Sequence, residues 1–146
     1  MSEEQMKATI RGFLKSIMEG DVPKSLSFLT QDVVWVAPQG IFKGSAEVQK
    51  YLTWTKQIAK DSKVTETGIG ILVQGNTAVI EHNLAGTTNG MKWEIPAMCI
   101  YEFRDEKIQN MRSFYDTLAQ AKQVVKRGIP KMAVNSIVKA TVKGLR

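Results

Sequence analysis

The chain predicts an α+β domain: helices first, then a curved antiparallel sheet that they close into a cone around an apolar pocket, with a C-terminal helical extension. Three observations carry that prediction. Residues 3–19 place Met6, Ile10, Phe13, Leu14 and Ile17 at helical spacing. Residues 64–117 form four runs rich in alternating apolar residues, punctuated by Gly75-Asn76, Asn89-Gly90 and Asp105-Glu106, dipeptides suited to tight hairpin turns. The length of 146 residues is that of one domain with a sizeable core.

In chain order, Ser2 caps the first helix and Gly20 ends it. Asp21 caps a second helix, with Pro23 early in it. Residues 32–37 form a short strand that turns at Pro38-Gln39-Gly40 and returns through Ile41-Phe42-Lys43. Ser45 is expected to cap a third helix reaching about Ala59, with Val48, Tyr51, Leu52, Thr55 and Ile58 on one side. The four strands 64–74, 77–88, 91–104 and 107–117 then make an antiparallel meander. Residues 118–127 suggest another helix, and Pro130 opens a last one with Val134, Ile137, Val138, Thr141, Val142 and Leu145 as its apolar stripe.

Turn positions assign the sheet faces. A two-residue turn at Asn89-Gly90 sets His82 opposite Ala97 and Ile80 opposite Cys99. A turn at Gly75-Asn76 sets Ile71 opposite Ile80 and Ile69 opposite His82. Alternation then gathers Ile69, Ile71, Val73, Ala78, Ile80, His82, Leu84, Trp93, Ile95, Ala97, Cys99 and Tyr101 on one apolar face with the single histidine of the chain. Glu66, Glu81, Asn83, Glu94, Met98, Ile100 and Glu102 fall on the other. The last strand depends on its turn. A two-residue loop at Asp105-Glu106 turns Arg112, Phe114 and Asp116 inward, whereas a three-residue loop with a bulge turns Met111, Ser113 and Tyr115 inward. The second, less charged set is favoured, with Asp116 capping the next helix. Gly68 and Gly70 alternate on the outer face of the fourth strand and point to sheet curvature.

Composition excludes several classes. One cysteine allows no internal disulfide and no cysteine metal cluster. No signal-peptide pattern or long apolar run is present, so a cytoplasmic location is expected. The net charge of +6 is uneven: after Asp116 come seven cations and no acid, leaving residues 1–116 at −1. That basic tail suits nucleic acid or an anionic membrane, but its apolar stripe favours folding back on the domain or a dimer mate. Residues 1–118 are thus expected as the cone and 119–146 as the extension packed on it. Met98, Ile100 and Phe114 give the outer sheet face an apolar centre, which predicts a homodimer.

The segments Phe28-Leu29-Thr30-Gln31-Asp32-Val33, Phe42-Lys43-Gly44, Phe103-Arg104-Asp105-Glu106-Lys107-Ile108 and Arg112-Ser113-Phe114-Tyr115-Asp116 resemble the nuclear transport factor two-like superfamily. Within it the likeness is to SnoaL-like polyketide cyclases, ketosteroid isomerases and limonene epoxide hydrolase, over about residues 3–118. These short motifs bear on fold more than on reaction. The resemblance implies an apolar pocket. In the epoxide hydrolase group a tyrosine, an asparagine and an aspartate hold the attacking water beside an arginine–aspartate pair. Here Trp35, Ala37 and Ser113 fall at the first three positions and Ile80 and His82 at the pair, which argues against that hydrolysis.

His82 is the leading candidate, as an acid or base near neutral pH or as a packed core histidine. Tyr115 and Ser113 are its candidate polar partners. Trp35, Tyr51, Trp54, Ile80, Trp93, Ala97, Cys99, Tyr101 and Met111 are candidate lining for a flat apolar ligand, though aromatics at such positions also serve as core. Cys99 is a small buried hydrophobe by default, and Glu81 with Arg112 an exposed outer-face ion pair. The expected function is cofactor-free, metal-free isomerisation or cyclisation of an apolar polycyclic (polyketide-, steroid- or terpenoid-like) molecule. The alternatives are a binding protein without turnover and an interaction module using the tail.

Overall fold

A computed structural model describes residues 1–125 and 128–143. Its elements are α1 (Glu3–Glu19), α2 (Val22–Ser27), β1 (Leu29–Ala37), β2 (Gly40–Lys43), α3 (Gly44–Ile58), β3 (Lys60–Gln74), β4 (Thr77–Thr88), β5 (Met91–Arg104), β6 (Lys107–Tyr115), α4 (Thr117–Val124) and α5 (Ile129–Thr141). The strands form one curved, unclosed sheet in the order β2-β1-β6-β5-β4-β3. The α+β architecture stands as expected.

Local chemistry sets most boundaries. Ser2 and Gln5 form a capping box at the start of α1, and Gly20 ends that helix in the left-handed region at φ 68. The Asp21 carboxylate accepts from the Lys24 backbone N–H at 3.0 Å to start α2. A buried contact of 2.8 Å between the Ser16 and Ser25 hydroxyls ties α1 to α2. The start of α3 differs from expectation. Lys43 is its N-cap, without a side-chain cap, and Ser45 lies inside the first turn. The Glu47 carboxylate takes over, accepting from the Lys43 backbone N–H at 2.7 Å. Asp116 caps α4 as expected, accepting from Leu118 and Ala119.

β1 begins at Leu29 and runs parallel to β6, pairing Trp35 with Met111 and Val36 with Arg112. That parallel pair follows from chain closure and carries no local turn signal. Turn register explains the rest. Thr88 pairs with Met91, Ile80 with Cys99 and His82 with Ala97, as the Asn89-Gly90 turn requires. The Asp105-Glu106 turn has two residues, pairing Arg104 with Lys107. The bulge sits just beyond it, between the Phe103–Ile108 and Glu102–Asn110 pairs. Met111 and Ser113 therefore face inward and Phe114 outward, the favoured faces by a slightly different route.

β3 departs most. It begins at Lys60, and between the Glu66–His82 and Ile71–Ile80 pairs it carries extra residues. Gly68 at φ 54 and Gly70 at φ 63 make this bulge. A Cβ on Gly68 would collide with the Glu81 carboxylate, which also accepts from the Ile69 backbone N–H at 3.3 Å. The bulge places Ile69 outside, 55% exposed, rather than opposite His82. Glu66 takes the place opposite His82 and pairs with Arg11 of α1 at 2.7 and 3.1 Å. Glu81 and Arg112 do not pair, because Arg112 meets Glu102 at 2.8 Å.

The core lies between the helices and the inner sheet face. α1 contributes Met6, Ile10 and Phe13, α3 contributes Val48, Tyr51 and Leu52, and the sheet adds Ile80, Tyr101, Ile108 and Met111. α4 is clamped to β5 by the Gln123 carboxamide, which accepts from the Glu94 N–H and donates to the Glu94 carbonyl, both at 3.0 Å. α5 packs on α4, and Met132, Ile137 and Val142 stay exposed. Of the expected stripe, Val134 and Val138 are half-buried while Ile137, Thr141 and Val142 are exposed; its last member, Leu145, lies outside the described residues. No described helix is long and apolar enough to cross a membrane.

Candidate functional site

A cavity of about 130 Å³ lies between α1, α3 and the inner sheet face. Its floor comes from sheet positions whose side chains the register turns inward: His82 on β4, Ala97, Cys99 and Tyr101 on β5, Met111, Ser113 and Tyr115 on β6, and Trp35 on β1. Tyr51 closes it from α3. Three expected lining residues are elsewhere. Ile80 is fully buried in the core beneath the cavity. Trp93 lies across Gly86, its cross-strand partner, and donates to the Thr88 hydroxyl at 3.0 Å. Trp54 is 41% exposed on the outside of α3, stacked on Tyr51. Phe13, Leu14, Ile17, Thr55, Val64 and Leu84 also line the space and were not expected to. The helical ones carry a signal, since Phe13 and Ile17 stand one turn apart on the buried face of α1.

The polar groups in this apolar space are few and incompletely bonded. His82 is 3% exposed, and its Nδ1 has no hydrogen-bond partner among the described residues. Burial lowers its pKa below the ordinary 6.5, with a backbone contact at Ile80 pulling partly the other way. The imidazole is therefore neutral at pH 7 with a lone pair to offer. The Tyr101 hydroxyl is equally buried and unpartnered, and burial beside Cys99 holds it protonated.

Ser113 is wired differently. Its Oγ accepts from the Trp35 indole N–H at 3.0 Å and from the Cys99 thiol at 3.3 Å. A hydroxyl has two acceptor lone pairs and one donor. Both lone pairs are engaged, so Ser113 is left to donate. Burial raises the Cys99 pKa despite the Ser113 bond, which keeps it a thiol and a poor nucleophile. Tyr115, expected as a polar partner of His82, lines the same cavity in one row with His82 and Ala97, and its hydroxyl donates to Gln39 Oε1 at 2.8 Å.

Leaving a buried polar group unpaired costs about 1–3 kcal/mol, and two such groups plus an unspent hydroxyl donor around one cavity mark a place prepared for a polar ligand atom. One base and two donors can remove a proton and hold the resulting oxyanion. The space itself is small. A dry cavity near 150 Å³ takes about one benzene ring, so the enclosed part holds about one ring of a ligand. Among the described residues no cluster of three His, Cys, Asp or Glu side chains is placed to hold a metal.

A family model described as a SnoaL-like domain matches residues 10–111. No curated protein matches the sequence. Among solved structures, the chain is similar to a putative polyketide cyclase from Silicibacter, at 20% identity and TM-score 0.74 over 86% of this chain and 99% of that one. A Catenulispora acidiphila protein with a ketosteroid isomerase-like fold, in complex with trimethylamine, matches at 16% identity and TM-score 0.73 over 79% and 90%. An LEH-like epoxide hydrolase from M. tuberculosis matches at 15% identity and TM-score 0.72 over 95% and 96%. At these identities the likeness is one of fold.

Proposed function

The chain belongs to the SnoaL-like domain family, and from that premise we propose that it is a cofactor-free enzyme that moves a proton next to a carbonyl of an apolar small molecule. The observation that carries this reading is the neutral, buried His82, whose Nδ1 has no hydrogen-bond partner among the described residues, lining the same cavity as the Tyr101 and Ser113 donors. His82 takes a proton from the carbon beside the carbonyl. The C–H electron pair becomes a C=C bond, and the oxygen becomes an enolate held by the Ser113 and Tyr101 hydroxyls. Such oriented donors are worth about 10²–10³-fold each. The imidazolium returns the proton to a different carbon in an isomerisation. In a cyclisation the enolate carbon adds to a second carbonyl, whose alkoxide takes the proton instead. One ring occupies the cavity, and any remaining bulk extends past its half-buried lining residues toward solvent.

The test uses 4-isopropylcyclohexanone in heavy water. Proton NMR is expected to show enzyme-dependent loss of the α-hydrogens above the buffer rate. Binding without exchange would instead support the second reading, a carrier without turnover. That reading is favoured by one observation: among the described residues no carboxylate lines the cavity to balance an imidazolium. Glu66 stands opposite His82 but is committed to Arg11.

We further propose that two chains pair through the outer sheet face. Met98 is 40% and Phe114 52% exposed there, paired across β5 and β6. Light scattering at micromolar concentration is expected to give twice the 16.3 kDa chain mass, and Phe114→Glu to return the monomer. A wild-type monomer would sink the pairing alone.

A further inference from the structure

We propose that the Tyr51 and Tyr115 hydroxyls form a second ligand subsite, taking an acceptor oxygen of the substrate in the place now filled by the Gln39 side chain. Resting on the proton-transfer reading above, this names the substrate class: a one-ring apolar molecule with oxygen acceptors at both ends, a diketone or keto acid.

The two hydroxyls come from different elements, α3 and β6, yet converge on one atom. Gln39 Oε1 accepts from Tyr51 at 2.9 Å and from Tyr115 at 2.8 Å. Two donors on one carbonyl oxygen is the arrangement that holds a ketone or carboxylate oxygen. Both tyrosines line the cavity, whereas Gln39 does not. Gln39 is exposed, on the two-residue turn between Ala37 and Gly40. Its carboxamide can swing into water and be solvated there, which frees the two tyrosine hydroxyls for an incoming oxygen.

The tyrosines cannot follow it so easily. The Tyr51 ring is stacked on Phe42 at 4.2 Å and meets the Trp35 edge at 5.0 Å. Burial also keeps the Tyr51 hydroxyl protonated, a fixed donor. Ser113 and Tyr101, the other two donors, line the same space. Ser113 and Tyr115 stand two positions apart on the same face of β6, about 7 Å between their Cα atoms by strand rise. A ring carrying one oxygen on each side offers an acceptor to each pair of donors.

The test compares 4-acetylcyclohexanone with 4-isopropylcyclohexanone, which has the same shape without the second oxygen. Affinities are measured by NMR titration, with thermal melts confirming that each variant is folded. Wild type is expected to prefer the diketone several-fold. Gln39→Ala, which removes the competing oxygen, widens that preference while moving the isopropyl ketone less than about twofold, within the effect of a single hydrogen bond. Tyr51→Phe and Tyr115→Phe each bring the preference toward one. Equal affinities in Gln39→Ala, or a preference intact in both Phe variants, overturns the subsite. Exchange chemistry reports separately: a preference that behaves as expected without any α-hydrogen exchange overturns the catalytic reading and keeps the subsite. Failure of both ketones to bind at millimolar concentration overturns both.

Discussion

His82→Gln slows α-hydrogen exchange in 4-isopropylcyclohexanone by about 10²–10⁴-fold, the usual contribution of a general base. Glutamine keeps most of the volume and a polar end, so ketone affinity stays within several-fold. His82→Ala gives the same loss with an enlarged cavity. The wild-type pH profile follows from the buried imidazole. Its pKa lies below 6.5, and only the neutral form accepts a proton. The rate is therefore level at pH 7 and above, and falls as pH drops through that lowered pKa. Stability moves in the same direction. The unfolded histidine takes up a proton near 6.5 and the folded one only at lower pH. Folding stability from this group is thus complete above 6.5 and declines as pH falls from there to the folded value. His82→Gln removes that decline. Full exchange activity in both variants would make His82 a packed core residue and nothing more.

Phe13→Ala destabilises the fold by about 3–5 kcal/mol, the cost of truncating a fully buried aromatic. Phe13 is completely buried, and its ring meets Phe28 and Tyr101 edge-on at 6.4 Å and Trp35 at 5.9 Å. It is thus the residue through which α1 grips the inner face of the sheet. It also forms part of the cavity wall, so its loss leaves Tyr101 and Trp35 unsupported beside Ser113. For a chain of this size the melting temperature falls by roughly 10 °C. Urea denaturation measures the free energy directly, and a change under about 1 kcal/mol would be the behaviour of a surface position, inconsistent with this packing. The same variant tests whether site and fold are coupled. Loosening the Trp35–Ser113 hydrogen bond returns an acceptor lone pair to Ser113, so exchange drops even where the protein remains folded.

The amino-acid sequence by itself determined the elements and most of the inner face. Asn89-Gly90 admits one hairpin register, and strand alternation then puts His82, Ala97, Cys99 and Tyr101 on one side with no further information. Helical spacing likewise placed Phe13 against the sheet, and Asp116 announced the cap of α4. These are local rules, each decided within a few residues. Tertiary structure alone decided the rest. Ile69 left the inner face because Gly68 and Gly70 insert a bulge, and alternation cannot be counted through residues at positive φ. Trp93 turned away from the cavity because Gly86 on the neighbouring strand offers its ring a flat seat. Tyr115 and Gln39 met across 76 positions of chain, and Trp35 reached Ser113 across 78. β1 came to lie parallel to β6 without a turn to announce it. The donor character of Ser113 is the clearest case. A serine is both donor and acceptor until its neighbours are known, and only the packing that brought an indole N–H and a thiol to its two lone pairs left it one thing to do.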